Sequence, residues 1–325
     1  MLKLIGRALI ARSGHVRDLT AERDALAAEV GRLRAELDRF TGTQWAPLFV
    51  APGHYCSPIP GLEDVQRHKR LRPLVPDRYL PGIALNEEQQ VALLQRLQPF
   101  YDEQPFSEEP RPDRRYYFAN GFYSYSDAIF LYGMIRYLQP KRLVEIGSGF
   151  SSCVALDTNE LFFDNSIALT FIEPYPERLL SLVRAGDLQR AALIQRELQE
   201  VDLDLFTTLE ANDILFVDSS HVAKVGSDVN RLFLELLPVL QPGVYVHVHD
   251  VFCPFEYPDA WLEENRAWNE AYLLRAFLEF NAAFEVVLFN TFLELFHREY
   301  FACHMPLRLR NPGGSIWLRR TVAAT

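Results

Sequence analysis

The chain has 325 residues, 49% of them hydrophobic, with a formal net charge of −10 and a pI near 5.4. That length and apolar fraction provide for one large folded domain with an appendage. The acidic balance excludes a broad nucleic-acid-binding face, which needs clustered Lys and Arg, and favours a small-molecule, sugar or protein partner.

Cys56, Cys153, Cys253 and Cys303 lie far apart and form no CxxC pair, so reduced structural thiols are expected rather than a disulfide scaffold or zinc ribbon. The opening "MLKLIGRALIARSGHVR" is too short and too often interrupted by Arg to span a membrane, and it lacks a cleavage pattern. A cytoplasmic protein is expected. Leu2, Leu4, Ile5, Leu9 and Ile10 beside Lys3 and Arg7 would allow at most a peripheral membrane contact, with ordinary helix packing as the alternative. From Val16 the apolar positions Val16, Leu19, Leu26, Val30, Leu33, Leu37 and Phe40 trace a short coiled-coil seam. Residues 1–41 thus read as a helix that makes a homo-oligomer or docks on its own chain.

Residues 42–118 are rich in Pro and aromatics around one good helix, "NEEQQVALLQRLQPFY". With little periodicity of its own, this segment is expected to wrap or lid the domain C-terminal to it. Residues 119–325 are regular. A helical stretch, "SYSDAIFLYGMIRYLQP", leads into the apolar run "RLVEIGSG", and further runs occur at "ALTFIEP", "DILFVDSSH", "GVYVHVHD", "FEVVLFN" and "SIWLRR". Continuous apolar strands with helices between them predict an α/β, doubly wound parallel sheet covered on both faces. In such sheets ligands bind beyond the carboxyl ends of the strands.

The first strand ends in Glu145, Gly147, Ser148 and Gly149, where the glycines let backbone pass close to a ligand. No GK[ST] comes after it, and the third glycine of a dinucleotide fingerprint is missing. The second strand ends in Glu173, 26 residues beyond Gly147, where an acid can accept from both hydroxyls of a ribose or simply favour the start of the next helix.

"VEIGSGFSS", "FIEPYPERL", "DILFVDSSH" and "LPVLQPGVYVHVHD", in that order, resemble the motif series of class I S-adenosylmethionine-dependent methyltransferases. The resemblance covers about residue 119 to the end and implies a Rossmann-like sheet with an antiparallel last strand, "FEVVLFN" and "SIWLRR" forming a hairpin-like pair. It implies that Glu145, Gly147, Ser148 and Gly149 pass the methionine part of S-adenosylmethionine and that Glu173 holds its ribose. Tyr125, Ser126 and Asp127 stand where a family segment closes over the methionine end, although helix capping alone would explain Ser126 and Asp127.

"GVYVHVHDVFCPF" further resembles the catechol-type, metal-dependent O-methyltransferases. That similarity implies a divalent-metal set of Asp218, His249 and Asp250, with Asp218 also beside the cofactor, and a general base at His221. Magnesium prefers oxygen donors, whereas imidazole suits manganese, zinc or similar ions, so a metal-free site with His221, then His249, as the base stays open. The strand period places His247 and His249 on one face, so Asp250 can join them only if the strand ends at His249 and turns. His221 could instead cap the next helix, with Lys224, Ser227 and Asp228 as ordinary polar residues. Tyr55, Tyr257 and Trp261 are candidate acceptor contacts that could equally fill a core. The leading expectation is O-methyl transfer to a hydroxyl on a saccharide or small molecule. A nicotinamide-dependent oxidoreductase and a non-catalytic scaffold are the alternatives.

Overall fold

The apolar runs that begin at residue 142 form a seven-stranded sheet in the computed structural model, which describes residue 23, residues 25–34 and residues 49–321. The strands are β1 (Arg142–Ile146), β2 (Ala168–Ile172), β3 (Ala192–Ile194), β4 (Ile214–Val217), β5 (Tyr245–His249), β6 (Phe284–Phe289) and β7 (Ser315–Arg320). Their order across the sheet is β3-β2-β1-β4-β5-β7-β6. β1 to β5 are parallel, and β7 runs antiparallel to both β5 and β6. Every residue of β4 and β5 is buried, as continuous apolar strands in a sheet covered on both faces must be. β3, with three residues, is too short to stand out as an apolar run. β6 and β7 pair as expected, but no tight hairpin joins them, because the chain between them folds into a helix, Asn290–His304.

The principal helices are α1 (Leu62–Leu71), α2 (Glu87–Asp102), α3 (Tyr125–Leu138), α4 (Phe150–Phe162), α5 (Glu270–Leu278) and α6 (Asn290–His304). The chain divides into two compact units, Met1–Pro58 and Ile59–Thr325. In the second, Leu93, Leu94 and Leu97 of α2, then Phe106, Tyr116 and Phe118, belong to the same hydrophobic core as the strands. The segment before residue 118 therefore supplies core side chains, and no core boundary falls at 118. Buried Arg115 fastens it to α4 by donating to Asp157 Oδ1 at 2.7 Å, and beyond that helix it donates to Asp187 Oδ1 at 2.6 Å.

In the first unit residues 25–34 are helical, and Leu26, Val30 and Leu33 of the expected seam are exposed. Val16, Leu19, Leu37 and Phe40, like the apolar residues of the first dozen, lie outside the described residues. Tyr55 is exposed, its ring 4.2 Å from that of His54. Among the described residues no helix is long and apolar enough to cross a membrane.

Candidate active site

The central strands end level. Ile146 pairs with Ile172 on one side and with Val217 on the other, and Val217 pairs with Val248. One residue further, Glu173, Gly147, Asp218 and His249 stand in a row along the carboxyl edge, where ligands bind in such sheets. Gly147 has φ 78°, and a Cβ built on it would lie 1.8 Å from the Asp218 carbonyl oxygen, so only glycine fits there.

A cavity of about 520 Å³ opens over this edge, lined by Gly147, Glu173, Tyr175, Leu198, Asp218 and Ser219 among others. Glu173 accepts the backbone N–H of Ser148 at 3.0 Å and of Tyr175 at 2.8 Å. Each oxygen keeps a lone pair for a ligand hydroxyl. Beneath the loop Glu145 is buried, accepts the Ser151 hydroxyl through Oε1, and leaves Oε2 without a partner. Burial pushes its pKa up to about 8. Ser148 Oγ is likewise buried without a partner. Orphaned polar atoms around a glycine loop, beside a carboxylate that can take two hydroxyls, fit the polar end and the ribose of a nucleoside cofactor. Gly149 joins α4 to this loop, its N–H donating to Ser152 Oγ at 3.1 Å. Ser126 is not among the residues lining the cavity; it is buried, with Oγ 3.4 Å from Asn290 Nδ2.

Next to the cavity lies a cluster of acids and imidazoles. β5 stops at His249, and Asp250 takes a left-handed φ of 56°, so its side chain turns back toward Asp218. Asp218, His221 and Asp250 offer ligand atoms that lie within 4.8 Å of one another. His221 Nε2 is 3.4 Å from Asp218 Oδ1 and 3.5 Å from Asp250 Oδ2, while its Nδ1 is 2.9 Å from Glu270 Oε2. Burial alone would lower the His221 pKa, but the hydrogen bonds to Asp218 and Glu270 outweigh it and raise it to about 10. His249 Nδ1 is 3.3 Å from Asp218 Oδ1 and 3.7 Å from Asp250 Oδ1, and Nε2 is 3.6 Å from Asp127 Oδ2. Burial opposes its protonation, yet Asp250 and Asp218 raise its pKa well above the ordinary value. Asp218 is held below the usual carboxylate range, because His249 and His221 overcome the effect of burial. Burial, with the neighbouring charge of Asp218, raises that of Asp250. His247 is buried, stacked on Phe216 at 4.1 Å, and burial together with the charge on His249 takes its pKa down to about 3.

Residues 144–251 match the family model described as a methyltransferase domain. The chain carries a methyltransferase domain over these residues. An uncharacterized protein of Archaeoglobus fulgidus is 39% identical over 168 residues, spanning 50% of this methyltransferase and 75% of that relative. Among solved structures, the SAH-bound methyltransferase PaMTH1 of Podospora anserina aligns at 15% identity over 81% of this chain and 97% of its own, with a TM-score of 0.41. The O-methyltransferase TomG of Streptomyces achromogenes aligns at 17% identity over 79% and 95%, with a TM-score of 0.38.

The methyltransferase thus gathers Glu145, Gly147, Ser148, Gly149 and Glu173 at one loop edge, and Asp218, His221, His249 and Asp250 in one cluster. Other placements depart from the sequence-based expectations. Ser227, whose Oγ accepts the Asn230 N–H, caps the helix that His221 was a candidate to cap. Neither Ser126 nor Asp127 caps α3 with its side chain, because the N-cap position is Ser124. Tyr257 is buried, its hydroxyl accepting the Ala271 N–H at 3.0 Å, and it lines a second cavity with Phe252 and Tyr272 rather than the one beside Asp218. Trp261 is half-buried in an aromatic group with Phe252 and Trp268. Two residues of the cluster carry no sequence signal. Glu270 lies 49 positions from its partner His221, and the Trp268 ring sits 4.4 Å from the His221 ring. An acid opening a helix after "NRAWN" gives no hint of that pairing.

Proposed function

We propose that this methyltransferase moves a methyl group onto a hydroxyl of a small molecule or saccharide, with assistance from a divalent metal. The observation that carries this reading is Asp218, which lines the cofactor cavity and also belongs to the adjoining cluster with His221 and Asp250. An acceptor oxygen held at the cluster would therefore lie beside the cofactor, as an in-line transfer requires. S-adenosylmethionine supplies the methyl on a sulfonium, and a divalent ion supplies a lowered pKa for a bound hydroxyl.

The protein's own residues divide the remaining work. Glu173 accepts ribose hydroxyls, and Glu145 and Ser148 offer unpartnered polar atoms under the glycine loop. Asp127, Asp218, Asp250 and Glu270 face only two imidazoles, so when all four are ionised the cluster keeps a net charge of −2 even with both rings protonated. That excess supports a divalent cation there, held by Asp218, His221 and Asp250. His249 stands against the same carboxylates and lends them positive charge. A His221 that holds its proton up to a pKa of about 10 donates to an acceptor oxygen in the metal-free protein rather than taking a proton from it. Half-buried Trp261 supports an apolar wall for a sugar face or a ring. On the N-terminal helix, exposed Leu26, Val30 and Leu33 support self-association.

The test is calorimetric titration of S-adenosylmethionine into chelator-treated protein, alone and with magnesium, manganese or zinc, beside labelled-methyl transfer to polyol and phenol acceptors. Wild type and His221→Ala should bind the cofactor alike, while turnover of the variant falls at least about 100-fold. A protein that binds no cofactor under any of these conditions is a scaffold.

A further inference from the structure

The cluster holds a carboxylate that neither the cofactor cavity nor the proposed metal set uses. Glu270 opens α5 and is fully buried, a costly place for an acid unless its partners need it. Its Oε2 lies 2.9 Å from His221 Nδ1, and its Oε1 accepts the Ser219 hydroxyl at 3.1 Å. The same helix start grips the backbone, since the His221 carbonyl accepts the N–H of Asn269 at 3.1 Å and of Glu270 at 3.2 Å. The Trp268 ring lies against the imidazole. His221 itself sits at a left-handed φ of 59° that these contacts enforce. The result is a ring fixed in plane, with Nδ1 engaged by Glu270 and Nε2 presented between Asp218 and Asp250. Beside that gap His249 Nδ1, buried, lies 3.3 Å from the same Asp218 oxygen.

A carboxylate behind one imidazole nitrogen, with the other nitrogen facing two acids, is how proteins orient a histidine toward a metal ion. Resting on the metal-assisted reading above, we propose that Glu270 is a positioning residue that makes His221 Nε2 a metal ligand, so that the site selects a nitrogen-accepting divalent transition ion over magnesium. Two carboxylates alone would favour a hard, oxygen-seeking cation, and the oriented imidazole reverses that preference.

The experiment uses the full-length protein with cobalt(II) as the probe, because its visible spectrum reports its donor atoms, and magnesium as the competitor. Wild type should take up cobalt in preference to magnesium. Glu270→Gln, which keeps shape and removes charge, should weaken cobalt binding about 10- to 100-fold. His221→Ala should weaken it at least as much and alter the visible bands, while Glu270→Asp retains more affinity than Glu270→Gln. S-adenosylmethionine affinity, measured on each variant, should stay at the wild-type value and shows that the fold survives. Cobalt affinity of Glu270→Gln equal to wild type at intact cofactor binding overturns the assignment. So does a wild type that takes up no cobalt, or one that prefers magnesium. Turnover of chelator-treated wild type is read separately: methyl transfer without metal defeats the metal-assisted reading, whereas the cobalt titrations decide the positioning role.

Discussion

Asp127 of α3 and His249 at the end of β5 face each other inside the protein, with Oδ2 3.6 Å from Nε2. The same carboxylate accepts the side-chain amide of Asn290 at 2.9 Å, the N–H of Gly314 at 3.2 Å and the hydroxyl of Ser315 at 2.9 Å. Burial alone would raise its pKa, but His249 outweighs that and keeps it below the ordinary value. One acid thus ties the start of α6 and the start of β7 to the carboxyl edge of the sheet.

Asp127→Ala would strand three buried donors and leave the His249 charge without a partner on that side. The expected loss is about 3–5 kcal/mol of stability, read as a lower denaturant midpoint. Asp127→Asn keeps some of the hydrogen bonds and should lose less. An unchanged midpoint for the alanine variant would mean that Asp127 is not the clasp described.

Glu173 faces the cavity more than the fold. Its two N–H partners are Ser148 of the glycine loop and Tyr175 of its own turn, and Glu173 lines the cavity. Glu173→Ala should weaken S-adenosylmethionine binding by about 10- to 100-fold, the cost of losing hydrogen bonds to a charged acceptor. Calorimetry decides it, and an unaltered affinity would remove Glu173 from the cofactor site.

Glu145 sets a pH dependence of stability. Its folded pKa of about 8 lies above the ordinary value of 4.5 because burial disfavours the charged form. Between those pH values the folded protein holds a proton that the unfolded chain has released. Stability therefore falls as pH rises through that window and levels off above it. Glu145→Gln cannot ionise, so its melting temperature should gain on wild type from pH 5 to about pH 8.5 by something on the order of 5 °C. Parallel curves for the two proteins would show that Glu145 does not titrate in this range.

The amino-acid sequence by itself determined the sheet. Runs such as "ILFV" and "YVHVH" are too continuously apolar or aromatic to face water, so each becomes an interior strand, and the helical segments between the first five strands return the chain to the same edge and make those strands parallel. It also placed the polar ends of those strands, because a strand's last residue is local information: Glu145, Gly147, Glu173, Asp218 and His249 were legible as an edge before any pairing was known. Local sequence even stated the condition for Asp250, that the strand must end at His249 and turn.

What only the tertiary structure decided is which of these groups meet. Whether an imidazole acts as cap, base or ligand depends on partners from distant elements, and periodicity does not reach across them. Glu270 finds His221 over 49 residues, and Gly314 and Ser315 find Asp127 over 187 and 188. The core contribution of Phe106, Tyr116 and Phe118 was hidden for the same reason, since a Pro-rich stretch without a helical or strand period buries side chains only against a surface that the rest of the chain provides. Alternating or heptad patterns tell a residue which way to face; only the packed sheet and helices tell it what it will face.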